Sequence, residues 1–300
     1  MGLSEKIRAN QAGILLYGMT PPKSTNEPAR IDEIAKRALV RIKNAPIDGI
    51  VLYDLQDESA RNSEERTFEF IKTISPQEYY RKYFALETDA VIYQAVGQYD
   101  KEELEGFFDT ISSRESVVLV GASSKNSRVK TRLGEAYDIY RKSGAKSALG
   151  GICIPERHTL KHDEHLKVAA KVAAGCRFFI SQAVYDLAAA KKFIDDYASL
   201  GCERVPLIFT FTPCGSERTL EFMRWLGICV PDFLANRLKN SDDMLSASCE
   251  LCLEMFKFLF VYGRLKGISV GANVESVSTR LVEIEAANEL LKNIAAYLGR

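Results

Sequence analysis

Short apolar runs rich in β-branched residues alternate with longer amphipathic runs from one end of the chain to the other. The short β-rich runs and the amphipathic pattern of the long ones predict strands and helices in regular succession. The strand candidates are Gly13–Tyr17, Gly49–Tyr53, Ala90–Val96, Ser116–Val120, Ala148–Ile154, Phe178–Gln182, Pro206–Phe211 and Gly267–Val270. A helical pattern follows each, at Glu27–Lys43, Glu64–Ile74, Lys101–Ile111, Lys130–Lys142, His162–Ala174, Leu187–Leu200, Glu217–Leu226 and Thr279–Leu298. The stretch Asp232–Arg264 is too long for a loop and predicts extra helix between the seventh and eighth strands. Its apolar stripe reads as core or as a face for another subunit.

Strands that alternate with helices argue for a parallel sheet with helical crossovers. No Gly/Ser/Pro-rich linker or shift in composition divides the 300 residues. The pattern therefore predicts an α/β fold, one closed (β/α)8 TIM barrel spanning residues 1–300 as a single domain, rather than two domains.

Composition narrows the function classes. With 40 Lys+Arg against 40 Asp+Glu there is no net charge to hold nucleic acid or an acidic membrane. The 46% hydrophobic share is enough for a sizeable core and excludes disorder. A polar N-terminus without an apolar leader, and no apolar run near the ~20 residues of a membrane span, predict a cytoplasmic protein. The cysteines number seven, an odd count scattered through apolar surroundings, which reads as reduced thiols. Cys249 and Cys252 form a C-x-x-C inside a helical run without a second pair, so neither zinc nor redox chemistry is assigned to them.

In a barrel of this kind the chemistry lies at the C-terminal ends of the strands. Those ends carry Tyr17 to Pro22, Asp54 with Asp57 and Glu58, Tyr93-Gln94, Gly121 to Ser124, Pro155 to His158, Gln182 to Asp186, Thr212-Pro213 and Asn273 to Glu275. The carboxylates Asp54, Asp57 and Glu58 suit a general acid, since neighbouring acids raise one another's pKa; a solvated cap for the helix after Asn62 and Ser63 is the plainer reading. Gly121 and the small residues after it let backbone N–H groups approach a phosphate or a flat ring, or simply form a loop. Gln182 ends an apolar strand with an amide suited to a planar heterocycle, or to a structural hydrogen bond. All three histidines, His158, His162 and His165, fall within eight positions. A metal site, a single functional His158 and ordinary surface histidines stay open; Pro155 places His158 in a loop, and no metal ligand is assigned.

Read together, these stretches resemble the methylenetetrahydrofolate reductase family over nearly the whole chain. Tyr17-Gly-Met-Thr-Pro-Pro-Lys is similar to that family's segment ending in Pro-Pro-Arg, and Ile154-Pro-Glu-Arg-His to its Tyr-Pro-Glu-x-His. Lys171-Val-Ala-Ala-Gly-Cys is similar to its Lys-x-x-Ala-Gly-Ala, and Phe179-Ile-Ser-Gln-Ala-Val-Tyr-Asp to its Ile-Thr-Gln-Phe-Phe-Phe-Asp. The resemblance implies a flavoprotein oxidoreductase of folate one-carbon metabolism. Such a barrel binds FAD and uses NAD(P)H to reduce 5,10-methylenetetrahydrofolate to 5-methyltetrahydrofolate. By matching position it puts Tyr53, Tyr93, Gly121, Ala122, His158 and Lys171 at the cofactor, and Gln182, Tyr185 and Arg280 at the folate.

The departures are as informative. The family's glutamate before the double proline corresponds to Gly18, and its Arg-Gly-Asp after the fourth strand to Val120-Gly121-Ala122. A histidine of the third strand corresponds to Tyr93, and phenylalanines after the glutamine to Ala183 and Val184. Opening the folate's five-membered ring needs a proton donor, which contributes 10²–10⁴-fold, about 3–5 kcal/mol of barrier. Glycine supplies none, so Asp54 and Glu156 are the substitute acids expected here. A non-catalytic folate- or flavin-binding homologue acting as a partner subunit or homo-oligomer is the first rival. A metal-dependent lyase or hydrolase using the histidines with Glu156 or Asp186 is the second.

Overall fold

The computed structural model describes residues 1–57, 70–122 and 128–300. Glu58, Asn62, Ser63, Ser123, Ser124 and the first half of the helix expected at Glu64–Ile74 lie outside the described residues. Eight strands run β1 (Leu15–Met19), β2 (Gly49–Leu52), β3 (Ala90–Ala95), β4 (Glu115–Val120), β5 (Leu149–Cys153), β6 (Phe178–Ala183), β7 (Leu207–Phe211) and β8 (Val270–Glu275). Each pairs in parallel with the next, and β8 closes on β1, which makes the fold a (β/α)8 barrel.

The outer layer is built from α2 (Pro28–Lys43), α3 (Pro76–Tyr83), α4 (Lys101–Asp109), α5 (Leu133–Ser143), α6 (Pro155–Lys161), α7 (Glu164–Ala173) and α8 (Leu187–Ser199). It continues with α9 (Glu217–Trp225), α10 (Asp232–Lys239), α11 (Met244–Leu265) and α12 (Leu281–Tyr297). The expected extra helix between the last two strands is thus α10 and α11. The latter buries Leu251, Cys252, Met255, Phe256 and Leu259, so its apolar stripe is core.

The alternation of side chains along the strands divides the apolar residues into two clusters. Leu15, Ile50, Ile92, Phe179, Phe209 and their row mates face the helices. Leu16, Val51, Val91, Val118, Phe178, Ile180 and Ile208 fill the barrel together with Leu3 and Ile7. The last two belong to a short helix, α1 (Leu3–Arg8), which closes the end of the barrel where the strands begin. It is pinned there by Asp89, which accepts from the Leu3 N–H (2.9 Å), and by Asp48, which pairs with Lys6 (2.5 Å).

Three expectations are corrected. The second crossover helix is α3, and residues 70–74 ahead of it are not helical. His158 lies in a helix, not a loop, because Pro155 occupies the first helical turn of α6, where its missing N–H costs nothing. The last strand starts at Val270 rather than ending there. Gly267 takes a left-handed conformation (φ 68°) just after α11, so Gly267–Ser269 belong to the turn.

Candidate active site at the barrel mouth

Strand register brings Gly18 of β1 directly beside Glu275 of β8. A Cβ at position 18 would stand 3.0 Å from Glu275 Oε2 and 2.6 Å from the Tyr53 hydroxyl. The Glu275 carboxyl therefore occupies the space that a side chain on β1 would take. Glycine here is a matter of room.

A connected polar network holds that carboxyl. The Tyr53 hydroxyl donates to Glu275 Oε2 and accepts from Asn273 Nδ2 (2.8 Å). Asn273 Nδ2 also donates to Thr210 Oγ1 (3.1 Å), which donates to the Ser181 carbonyl (2.7 Å). Ser181 Oγ in turn accepts from the Thr210 N–H (3.0 Å). The Tyr93 ring packs edge-on against Tyr53, centroids 4.8 Å apart. Four strands, β2, β6, β7 and β8, thus contribute to one chain of hydrogen bonds; Tyr53 is the first residue beyond β2.

Desolvation pushes the Glu275 carboxyl above the usual carboxylate range, and the bonds from Tyr53 and Asn273 temper the rise. Burial and the adjacent Glu275 charge raise the Tyr53 phenol well above its ordinary value, so it remains a donor. An acid of this kind holds its proton nearer neutrality and can hand it to a basic atom in the mouth.

The residues expected at the site divide sharply. Tyr53 and Tyr93 meet at Glu275. Asp54 turns the other way: its Oδ2 accepts from the Ala95 N–H (2.8 Å) and the Tyr99 hydroxyl (3.1 Å), tying β2 to the end of β3. Asp57 is exposed beyond it. The Gly121 carbonyl accepts from Gln56 (3.0 Å), and Ala122 is exposed. Gln182 is half-buried and its Nε2 donates to the Leu226 carbonyl (2.9 Å). Tyr185 is fully buried, its hydroxyl donating to the Thr212 carbonyl (2.6 Å) near Cys252, so it belongs to the packing under α11. Arg280 pairs with Glu283 (3.1 Å) at the start of α12.

Two of the expected cofactor contacts are committed elsewhere. His158 has no exposed surface and its Nε2 bonds Asp196 of α8 (2.7 Å). Lys171 reaches across to the Ile152 carbonyl (2.5 Å) and lies over the Phe179 ring. Burial lowers the Lys171 pKa, and the nearby Glu164 charge offsets part of that fall. His158 is fully buried among the helices and the Lys171 ammonium is held by a backbone carbonyl, so the residues present do not fit a flavin held in the manner the resemblance implies.

Glu156, the other expected acid, has a different setting. It sits in the first turn of α6 beside a cleft of about 230 Å³ lined also by Ile154, Thr159, Leu160, Asp186, Gly227 and Cys229. Neither carboxyl oxygen makes a well-formed hydrogen bond among the described residues, although the N–H groups of Glu156 and Tyr185 face it. Burial raises its pKa to about 8.

Comparison with known proteins agrees with the barrel fold. The methylenetetrahydrofolate reductase family model matches residues 143–283. The solved structure of an uncharacterized protein from Clostridium thermocellum that binds two copies of 5-methyl-5,6,7,8-tetrahydrofolic acid is 42% identical. The match covers 98% of this chain and 99% of that one, with a TM-score of 0.86. The chain belongs to the methylenetetrahydrofolate reductase family. A second solved structure is the FMN complex of the oxygenating constituent of 3,6-diketocamphane monooxygenase, from the CAM plasmid of Pseudomonas putida. It is 10% identical over 95% of this chain and 98% of that one, with a TM-score of 0.55, and shows the barrel fold alone. No curated protein matches the chain.

Within that family, sequence reasoning placed Glu275 among the strand ends but gave it no role. The signal that finds it is the register across the closure of the barrel, where β8 meets β1.

Proposed function

We propose that this chain binds a reduced folate at the barrel mouth and interconverts its methylene and methyl one-carbon states, with Glu275 as the proton donor. The observation that carries the reading is the Glu275 carboxyl in the side-chain space of Gly18, held by Tyr53 and Asn273. The 5-methyltetrahydrofolate bound by the 42% identical relative supports the ligand class.

Glu275 gives its proton to N10 of 5,10-methylenetetrahydrofolate, the bond from N10 to the bridging carbon breaks, and an N5 iminium forms. A reduced nicotinamide, NADH or NADPH, delivers hydride to that carbon, leaving 5-methyltetrahydrofolate and the oxidised nicotinamide. Solvent reprotonates the carboxylate. Tyr53 and Asn273 hold the carboxyl in one orientation, so proton transfer needs no further reorganisation. The Gln182 Nε2 is engaged by Leu226, which leaves Oε1 as the atom that would accept from an N–H on the heterocycle edge. No step is drawn through a flavin, because His158 and Lys171 are committed elsewhere.

The test is oxidation of reduced nicotinamide by purified protein, with and without 5,10-methylenetetrahydrofolate, beside calorimetric titration with 5-methyltetrahydrofolate. Folate-dependent oxidation is expected. Binding without turnover would leave a folate-binding homologue, and neither binding nor turnover would remove the proposal.

A further inference from the structure

The three histidines of the chain come together in the helical layer, away from the Glu275 network. His158 of α6 lies with its ring centroid 4.9 Å from that of His165 of α7 and 5.7 Å from that of His162, which caps α6. Asp196 of α8 closes the group. One ligand atom from each of His158, His165 and Asp196 can be chosen so that all lie within 4.8 Å of one another. We propose that His158, His165 and Asp196 form a binding site for a divalent transition metal ion, with zinc as the ion best matched, joining α6, α7 and α8.

Several observations support a ligand rather than simple helix packing. The Nδ1 atoms of His158 and His165 are both buried and have no hydrogen-bond partner among the described residues. Buried imidazole nitrogens are ordinarily satisfied, so two unpartnered ones on neighbouring rings call for a ligand. Two imidazoles and a carboxylate, with water or His162 as fourth ligand, are a donor set that suits zinc.

The geometry asks for little. Tetrahedral zinc places its donor atoms roughly 3.3 Å apart, and rotation of side chains already within 4.8 Å brings them there. Lys192 is the competitor, since its Nζ lies 2.6 and 2.7 Å from the two Asp196 oxygens. Its side chain is 54% exposed, so it can swing into water when the ion enters. The N–H···O bond between His158 and Asp196 (2.7 Å) would be exchanged for coordination, or retained with Nδ1 as the ligating atom.

The experiment is equilibrium dialysis of the chelator-stripped full chain against zinc, with metal counted by elemental analysis, and a parallel titration with cobalt read by visible absorption. The expected result is one equivalent of zinc in the wild type and its loss in both His165→Gln and Asp196→Asn, each checked for folding by circular dichroism. The exposed substitution Lys192→Met should tighten binding several-fold, which keeps the proposal testable if the buried variants fold poorly. Cobalt should show tetrahedral d–d bands without thiolate charge transfer, which separates this site from the seven cysteines. Absence of a bound equivalent would overturn the proposal. So would unchanged binding in both ligand variants, unchanged affinity in Lys192→Met, or a thiolate band.

Discussion

The two sides of the barrel mouth handle buried acids in opposite ways. Where β8 meets β1, Glu275 is bonded by Tyr53, which accepts from Asn273, itself bonded to Thr210. Over β5, Glu156 is buried with its oxygens unpartnered, and two residues further along α6 begins the histidine group with its own unpartnered nitrogens. The Glu275 network holds its acid through internal bonds before a substrate arrives, with Asn273 Oδ1 left without a hydrogen-bond partner among the described residues, and a carboxyl held in this way needs little reorganisation for proton transfer. A buried group with no partner destabilises the free protein, and such a cost is ordinarily offset by a ligand or by protonation. Under the proposed function, the first side carries the chemistry and the second the binding.

The largest expected effect comes from moving the acid. Glu275→Gly should lower the turnover rate by about 10²–10⁴-fold, the usual contribution of a positioned general acid. Adding Gly18→Glu in that background returns a carboxyl close to the same space from the neighbouring strand, and should recover part of the loss, since the Tyr53 hydroxyl must shift to admit the new side chain. Steady-state rates of the two variants decide it; a double variant no better than the single one would mean that position, and not just charge, is specific to β8.

Next in size is the other side of the mouth. The Glu156 pKa is raised to about 8 in the folded protein, whereas in the unfolded chain it titrates near the ordinary 4.5. Between those values the folded state holds the extra proton, so stability contributed by the neutral carboxyl is present at low pH and lost as pH rises toward 8. Glu156→Gln should remove that loss and stabilise the protein at pH 8 by roughly 2–4 kcal/mol relative to wild type. Urea unfolding at pH 5 and pH 8 measures it, and equal differences at both would contradict the account.

A third change tests the close approach. Gly18→Ala forces a methyl group against Tyr53 and Glu275, and should cost about 1–3 kcal/mol of stability together with activity. Thermal denaturation and rate on the same preparation should fall together.

The smallest effect is expected from Tyr53→Phe, which removes a bond that lowers the Glu275 pKa. A rate limited by protonated Glu275 falls as pH rises through that pKa. The variant should therefore lose its activity at higher pH than wild type, with a rate loss of about tenfold. A limb displaced to lower pH would be the wrong sign.

The barrel was legible because apolar periodicity and the β/α rhythm are local properties. Strands Phe178–Ala183 and Leu207–Phe211 differ from their predicted bounds by one residue, since their Phe and Ile runs leave no other choice. The eighth strand was harder to place: Val270-Gly-Ala-Asn-Val-Glu has two small residues and a polar one where β-branched residues usually mark a strand, and the turn at Gly267 ahead of it looked like its beginning. The six residues of α1 are too few to show a helical period.

The candidate site was legible only in part. Matching by position identified Tyr53 and Tyr93, which do meet, but it could not show that His158 turns toward α8 or that Tyr185 points under α11. Those directions depend on helix rotation, which the residue order does not encode locally. Glu275, whose carboxyl fills the side-chain space of Gly18, is 257 positions away in sequence and adjacent in space, and only closure of the barrel reveals it.

The most direct test of the account is the pH dependence of single-turnover reduction of 5,10-methylenetetrahydrofolate in wild type and Glu275→Gln, with 5-methyltetrahydrofolate affinity measured on the same samples. The account predicts an isosteric variant that binds the folate within a few-fold of wild type, reacts about 10²–10⁴ times more slowly, and lacks the decline at high pH. A Glu275→Gln enzyme with wild-type rate and an unchanged pH profile would show that the proton comes from elsewhere.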